Sequence, residues 1–248
     1  MHILYPSLPY EPRTVDPLWE PEYTWASAAG FTVGLFDLET ARVWPRTPTT
    51  PALYRGWMLT GPEYELLEQL APLLSGIESY LSAHLASGWY AAIREYTFAS
   101  TFQPAGQLPD FFAGQRYFVK GLVKSFGPNS TVASAAEWQE LLRKHGIPNN
   151  ELLFVRQYME LQPDSERRYF VVAGTAYGAG GTPLPNQLRP ALFQLRPRLF
   201  YSLDVALTAA GHPIIVEVGD GQVSDLKEWN VADFGRTVLG ALAAATQA

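Results

Sequence analysis

A chain of 248 residues is long enough to bury a sizeable core, and 47% apolar residues with a formal charge of −6 exclude disorder and argue against a general nucleic-acid binder. The absence of cysteine removes disulfides, thiolate nucleophiles and Cys-based zinc or iron–sulfur sites, and the four histidines are scattered without a metal-ligand spacing. No segment approaches membrane-spanning length, and Pro interrupts the N-terminus where a signal peptide needs an apolar run, so a cytoplasmic location without membrane contact is expected.

In chain order, residues 2–5 read as a first strand ended by the Pro-rich run PSLPYEPRTVDP. A helix over 18–29, stopped by Gly30, and a strand over 31–37 follow, giving a small α/β layer. The Pro/Thr stretch 45–52 reads as a linker and 53–59 (LYRGWML) as a third strand. Pro62 opens a helix to about Leu74, and further helices are expected over 78–85 and 89–96. Composition changes near 102–114, where Gln, Pro and Gly accumulate. Residues 116–120 form a short strand before the polar loop 124–131. Ser134, with Glu137 three residues on, opens a helix that ends near Gly146. From 152 to 218 the chain reads mostly as strands, and an Ala/Leu helix over 231–245 closes it. The expected class is α+β, with a smaller N-terminal α/β part and an antiparallel part from about residue 111.

Residues 200–226 carry the strongest chemical signal. The turn 209–213 separates two Val/Ile/Leu-rich runs, which predicts a β-hairpin. Centred between Ala210 and Gly211, it places Leu203 opposite Val218, Val205 opposite Val216 and Leu207 opposite Ile214. Asp204 then faces Glu217 on the other face, with Cβ atoms ~5 Å apart. Like charges so placed repel unless a cation lies between them, and removing either is expected to stabilise the ligand-free protein. Two carboxylates at that spacing suit Mg²⁺ shared with phosphates. Otherwise they are two solvated acids on an edge hairpin. Gly219-Asp220-Gly221 then suits a backbone close to a ligand.

Lysine is scarce, yet two of the four lie in FVKGLVKSFGPNS. Lys120 ends a strand and Lys124 starts a donor-rich loop suited to phosphates, unless both are ordinary surface lysines. Alternation in SERRYFVV puts Glu166 and Arg168 on one face, either as an ion pair or as a ribose-binding acid and a phosphate-binding guanidinium. The exit of FVRQYMEL, around Gln157–Leu161, offers backbone groups to a base edge. Arg13, Asp16, Arg55, His84 and Arg94 read more readily as structural.

The order of these motifs resembles the ATP-grasp superfamily: a strand lysine with a polar loop, a hinge strand, a Glu-x-Arg strand, then a strand Asp and a strand Glu before a turn. It is most similar to small stand-alone bacterial and phage ATP-grasp proteins. The resemblance covers 111–226, with YRGWML the most family-like string before it. It implies two antiparallel α+β subdomains sandwiching ATP over 111–248, preceded by an α/β subdomain over 1–110. It also implies an ATP- and Mg²⁺-dependent carboxylate–amine ligase working through an acyl phosphate, on an amino acid or peptide. Lys120 would contact phosphate, Lys124 would sit in a mobile flap, and Gln157, Tyr158 and Met159 would form the adenine hinge. Glu166 would approach the ribose, Arg168 the γ-phosphate or acyl phosphate, and Asp204 and Glu217 the metal. Two departures stand out. Gly219 occupies the place of a usual Asn, with Asp220 as its substitute ligand, and no lysine precedes Lys120, leaving Arg55 or Arg94 to stand in. A non-catalytic nucleotide-binding module and another ATP-dependent phosphotransferase are the alternatives.

Overall fold

The computed structural model describes residues 1–111 and 114–247. Three sheets organise them. In the first, β1 (His2–Leu8) lies parallel to β3 (Thr32–Asp37) and β5 (Ala52–Tyr54) and antiparallel to β2 (Glu11–Val15), while β4 (Arg42–Trp44) pairs with β3. The Pro-rich run therefore does not end the first strand, because Pro6 lies within β1 opposite Phe36 of β3 and only Pro9 falls where the chain turns into the short edge strand β2. The strand expected over 53–59 stops at Tyr54.

Helix α1 (Glu20–Ala28) begins with Pro21 in its first turn and ends before Gly30, whose φ of +87° lies in the left-handed region. Helix α2 (Gly61–Leu70) carries the Thr60/Glu63 capping box and is shorter than expected. It is followed by α3 (Ile77–His84) and α4 (Ala86–Ile93).

The second sheet has the order β6-β9-β7-β8, from β6 (Ser100–Pro104), β7 (Tyr117–Lys120), β8 (Thr131–Val132) and β9 (Leu152–Gln157). Helix α5 (Ala135–His145) covers one face, burying Trp138 and Leu141 against Val119, Leu153 and Val155. The third sheet has the order β11-β10-β12-β13, from β10 (Arg167–Val172), β11 (Thr175–Gly178), β12 (Phe200–Leu207) and β13 (Pro213–Asp220). Helix α6 (Arg189–Gln194) interrupts what the sequence presents as continuous strand.

One face of the third sheet, with Tyr169, Val171 and Leu203, packs on Trp89 and Ile93 of α4 and on Ala191 and Leu195. The other face, with Phe170, Val172 and Phe200, packs on the C-terminal helix, α7 (Val231–Phe234) running through a π-helical turn into α8 (Gly240–Ala245). Phe234, Val238 and Leu242 also reach Ile3, Leu35 and Leu53, so this helix joins the first sheet to the third. A Cβ at Gly235 would fall 2.1 Å from the Trp25 ring, a close approach that admits only glycine. No helix among the described residues is long and apolar enough to cross a membrane.

Candidate nucleotide and metal site

Asp204 and Glu217 are register partners, as the alternation predicts. A β-bulge follows at once: Val205 pairs with Ile215, Ala206 with Ile214 and Leu207 with Pro213, so the expected Val205–Val216 and Leu207–Ile214 pairs do not form. The bulge beside the acids re-aims the strand where the polar site begins.

Neither acid is left facing the other uncompensated. Arg168, the β10 partner of Asp204, donates to both its oxygens, Nε to Oδ1 at 2.8 Å and Nη2 to Oδ2 at 2.7 Å, and Lys227 Nζ reaches Oδ2 at 2.9 Å. Lys227 also pairs with Glu166, and Arg168 with Asp225. Glu217 accepts from Lys120, which points across from β7. Burial would raise the Asp204 carboxyl, but Arg168 and Lys227 outweigh it and hold the group below the usual carboxylate range. Burial prevails at Lys120, holding its ammonium below the ordinary lysine range despite Glu217. The expectation that losing either acid stabilises the ligand-free protein is therefore reversed, because removing Glu217 strands the buried Lys120 and removing Asp204 takes from Arg168 its bidentate partner.

A cavity of about 530 Å³ opens over this cluster, lined by Arg168, Ser202, Asp204, Glu217 and Gly219 of the third sheet, by Lys124 and Ser125, by His84, and by Trp19, Trp57 and Met58 of the N-terminal part. A turn in which Gly121 N donates to Lys124 O brings Lys124 to its edge. His84 stacks on Tyr80 with ring centroids 5.0 Å apart, and burial, reinforced by Lys120 and Lys124, pushes its imidazole down to about 4. It is therefore neutral at physiological pH. Gly219 has a packing cause. A Cβ there would lie 2.7 Å from Ser202 Oγ, which is itself hydrogen-bonded to Ser224 Oγ at 2.7 Å.

Asp220 stands on the opposite face of β13 from Glu217. Its Oδ1 accepts from Gln222 N and Nε2 at 2.9 and 3.1 Å, and complete burial pushes its carboxyl up to about 7. At the hinge, Gln157 N and Tyr158 N are committed to Ala99 O and Arg116 O. Met159, 43% exposed, has no backbone hydrogen bond from its amide among the described residues, and Arg116 lies 4.0 Å over the Tyr158 ring.

Arg55 is structural, as its sequence context suggests, and does not stand in for the lysine missing before Lys120. It is fully buried, bonds Glu22 with Nε and Nη2 at 2.9 and 2.8 Å, and gives Nη1 to the carbonyls of Gly221 (2.6 Å), Gln222 and Ser224. Every arm is occupied, so it has none for phosphate. Arg94 is exposed at the end of α4. The cation that sequence reasoning missed is Arg156. The register pairs Phe118 with Arg156 and Lys120 with Phe154, so Arg156 shares the inter-sheet face with Lys120. It is 4% exposed, its Nε and Nη2 have no hydrogen-bond partner, and burial pushes it down to about 10. Alternation within FVRQ marks its face, but pairing with a strand beyond a 31-residue connection is not a local signal.

Two sheets facing each other with strand-borne cations and carboxylates between them define an ATP-grasp architecture, and known structures agree. The chain superposes on a RimK domain protein ATP-grasp from Sphaerobacter thermophilus (TM-score 0.66, 14% identity, all of both chains covered). It also matches D-cycloserine synthetase (0.63, 12%, 98% of this chain and 97% of the other) and the D-alanine–D-alanine ligase of Bacillus anthracis complexed with ATP (0.60, 12%, 100% and 99%). No curated protein sequence matches it. Residues 80–242 match the family model of an ATP-grasp domain, the third family of its clade, and the chain belongs to that family.

Proposed function

We propose that the protein is an ATP- and Mg²⁺-dependent carboxylate–amine ligase acting through an acyl phosphate. The observation that carries this reading is the convergence of Lys120, Arg168 and Lys227 on the facing pair Asp204 and Glu217 at the floor of one large cavity. Its elements have the charges that phosphoryl transfer needs, and all but Lys227 sit on strands, where positioning is rigid.

Lys120 and Arg156 would take the phosphate chain of ATP, Lys124 would close over it, and Gln157, Tyr158 and Met159 would flank the adenine, with Glu166 toward the ribose. Arg168 would hold the γ-phosphoryl group and the acyl phosphate. Asp204 and Glu217 suit Mg²⁺, which needs only one or two carboxylates when phosphates complete its shell, and which would neutralise phosphate charge once bound. Asp220 lines the same cavity with its Oδ1 held by Gln222, so it would reach a metal through Oδ2. A substrate carboxylate oxygen attacks the γ-phosphorus and ADP leaves. An amine nitrogen then attacks the acyl carbon, the carbon–oxygen bond breaks, and phosphate departs as the amine loses a proton. The substrates are an amino acid or peptide, and the site of action is the cytoplasm.

The pairing of β6 with β9 and a family match that starts at residue 80 support beginning the ATP-grasp part ahead of β6 rather than at 111. A non-catalytic nucleotide-binding module is the second reading, favoured by Gly219 and by acids already paired with protein cations. ADP release separates the two. A matrix of carboxylates with hydroxylamine as amine surrogate should give ADP and a hydroxamate for the right acid. Tight ATP binding with no ADP from any combination would favour the module, and ADP without an amine would indicate a phosphotransferase.

A further inference from the structure

A second groove, of about 450 Å³, lies between the β10–β11 turn and α6, lined by Gly174, Thr175, Leu184, Arg189, Phe193 and Arg196 among others. It shares no lining residue with the cavity over Asp204 and Glu217. Along β10 it begins six residues beyond Arg168, about 20 Å at ordinary strand rise.

Four features of this groove coincide. First, all its walls come from residues 167–203, a stretch with five arginines and no Asp or Glu in a chain whose net charge is −6. Second, Arg189 and Arg196 are exposed and neither has a carboxylate partner among the described residues. Third, Phe193 is 59% exposed between them, with the Arg196 guanidinium 4.0 Å above its ring. Fourth, β11 is an edge strand whose one strand partner is β10. Unpaired arginines on a surface otherwise rich in acids call for an anionic partner. A free edge beside an exposed aromatic side chain suits extended backbone.

We propose that this groove docks an extended acidic peptide segment. Arg189 and Arg196 lie seven residues apart along α6 and the turn after it, about 10 Å by helical rise. An extended chain covers that distance in three to four residues, and side chains four apart share one face. The segment recognised therefore carries two carboxylates spaced i and i+4, with an apolar side chain at i+2 against Leu192 and Phe193. Because the groove lies away from the phosphate-binding cluster, the proposal stands whether or not the protein is a ligase.

The test is fluorescence anisotropy with a labelled decapeptide carrying Glu-x-Leu-x-Glu at its centre, and a control with Lys for both Glu. Wild type should give saturable binding to the acidic peptide that weakens as salt rises, and none to the control. Arg189→Glu with Arg196→Glu should weaken binding by about tenfold or more, since two charge-assisted contacts become repulsions. Phe193→Ser should weaken it without changing the salt dependence. All three positions are exposed, so thermal unfolding should be unchanged. If the double reversal unfolds, Arg189→Gln with Arg196→Gln replaces it. No saturable binding, equal binding of the Lys control, or full binding by the variants would overturn the proposal.

Discussion

Replacing Arg55 with Met removes the guanidinium that ties the end of β5 to the turn after β13. It strands Glu22, 3% exposed, with only the Tyr5 hydroxyl at 3.2 Å, and takes a donor from three carbonyls of residues 221–224. Breaking a buried pair from one side costs about 3–5 kcal/mol, most of it the uncompensated charge left behind. Glu22→Gln should cost less, because Arg55 keeps its backbone partners. The double variant Arg55→Met, Glu22→Gln removes both charges, and its loss should fall well short of the sum of the singles. Guanidinium unfolding of wild type, both singles and the double at pH 7 gives the cycle. A loss below about 1 kcal/mol for Arg55→Met, or strict additivity, would refute the structural role. A residue serving as a phosphate ligand would instead leave stability near wild type and weaken nucleotide binding alone.

Three further outcomes follow from the same physics. Asp220 has a folded-state pKa raised to about 7, so ionising it costs the folded state. That cost is absent below the unfolded carboxylate pKa near 4, grows as pH rises, and is complete above about 7. Asp220→Asn should therefore gain relative to wild type between pH 5 and pH 8, by about 2–3 kcal/mol for a shift of that size, and a pH-independent difference in denaturant midpoint would contradict the assignment. Asp204 behaves in the opposite sense. Its pKa is depressed, so its contribution is present above the unfolded pKa and lost as pH falls through the folded one, and Asp204→Asn should be less stable than wild type at pH 7, by a margin that shrinks as pH falls below the unfolded carboxylate pKa. Gly235→Ala forces a methyl into the Trp25 ring and should cost about 1–3 kcal/mol by thermal unfolding, whereas a neutral result would mean that the C-terminal helix shifts freely.

The facing pair Asp204 and Glu217 was legible because a strand has period two and its hairpin is local, so counting from the turn finds the partners. The same count fails beyond the bulge, since an extra residue at Val216 leaves no mark in composition. Strands β2 and β6 were hidden by their prolines, β4 by its three-residue length, and α6 by being a six-residue helix inside an apolar run. Lys120 was visible as a scarce lysine at a strand end. Arg156 was not, because what sets it beside Lys120 is pairing between β7 and β9 across α5. The partners of Arg55 were hidden for a similar reason: they lie 33 and 166 to 169 residues away in sequence. Local periodicity reports faces, whereas ion pairs report topology.

The most direct test of the central claim is calorimetric titration of a non-hydrolysable ATP analogue, with and without Mg²⁺, into wild type, Glu217→Gln and Arg156→Met. The account predicts binding strengthened by Mg²⁺ in wild type, loss of that Mg²⁺ dependence in Glu217→Gln, and weaker binding at every Mg²⁺ level in Arg156→Met. Wild-type affinity and Mg²⁺ response in both variants would place the nucleotide elsewhere and contradict the site.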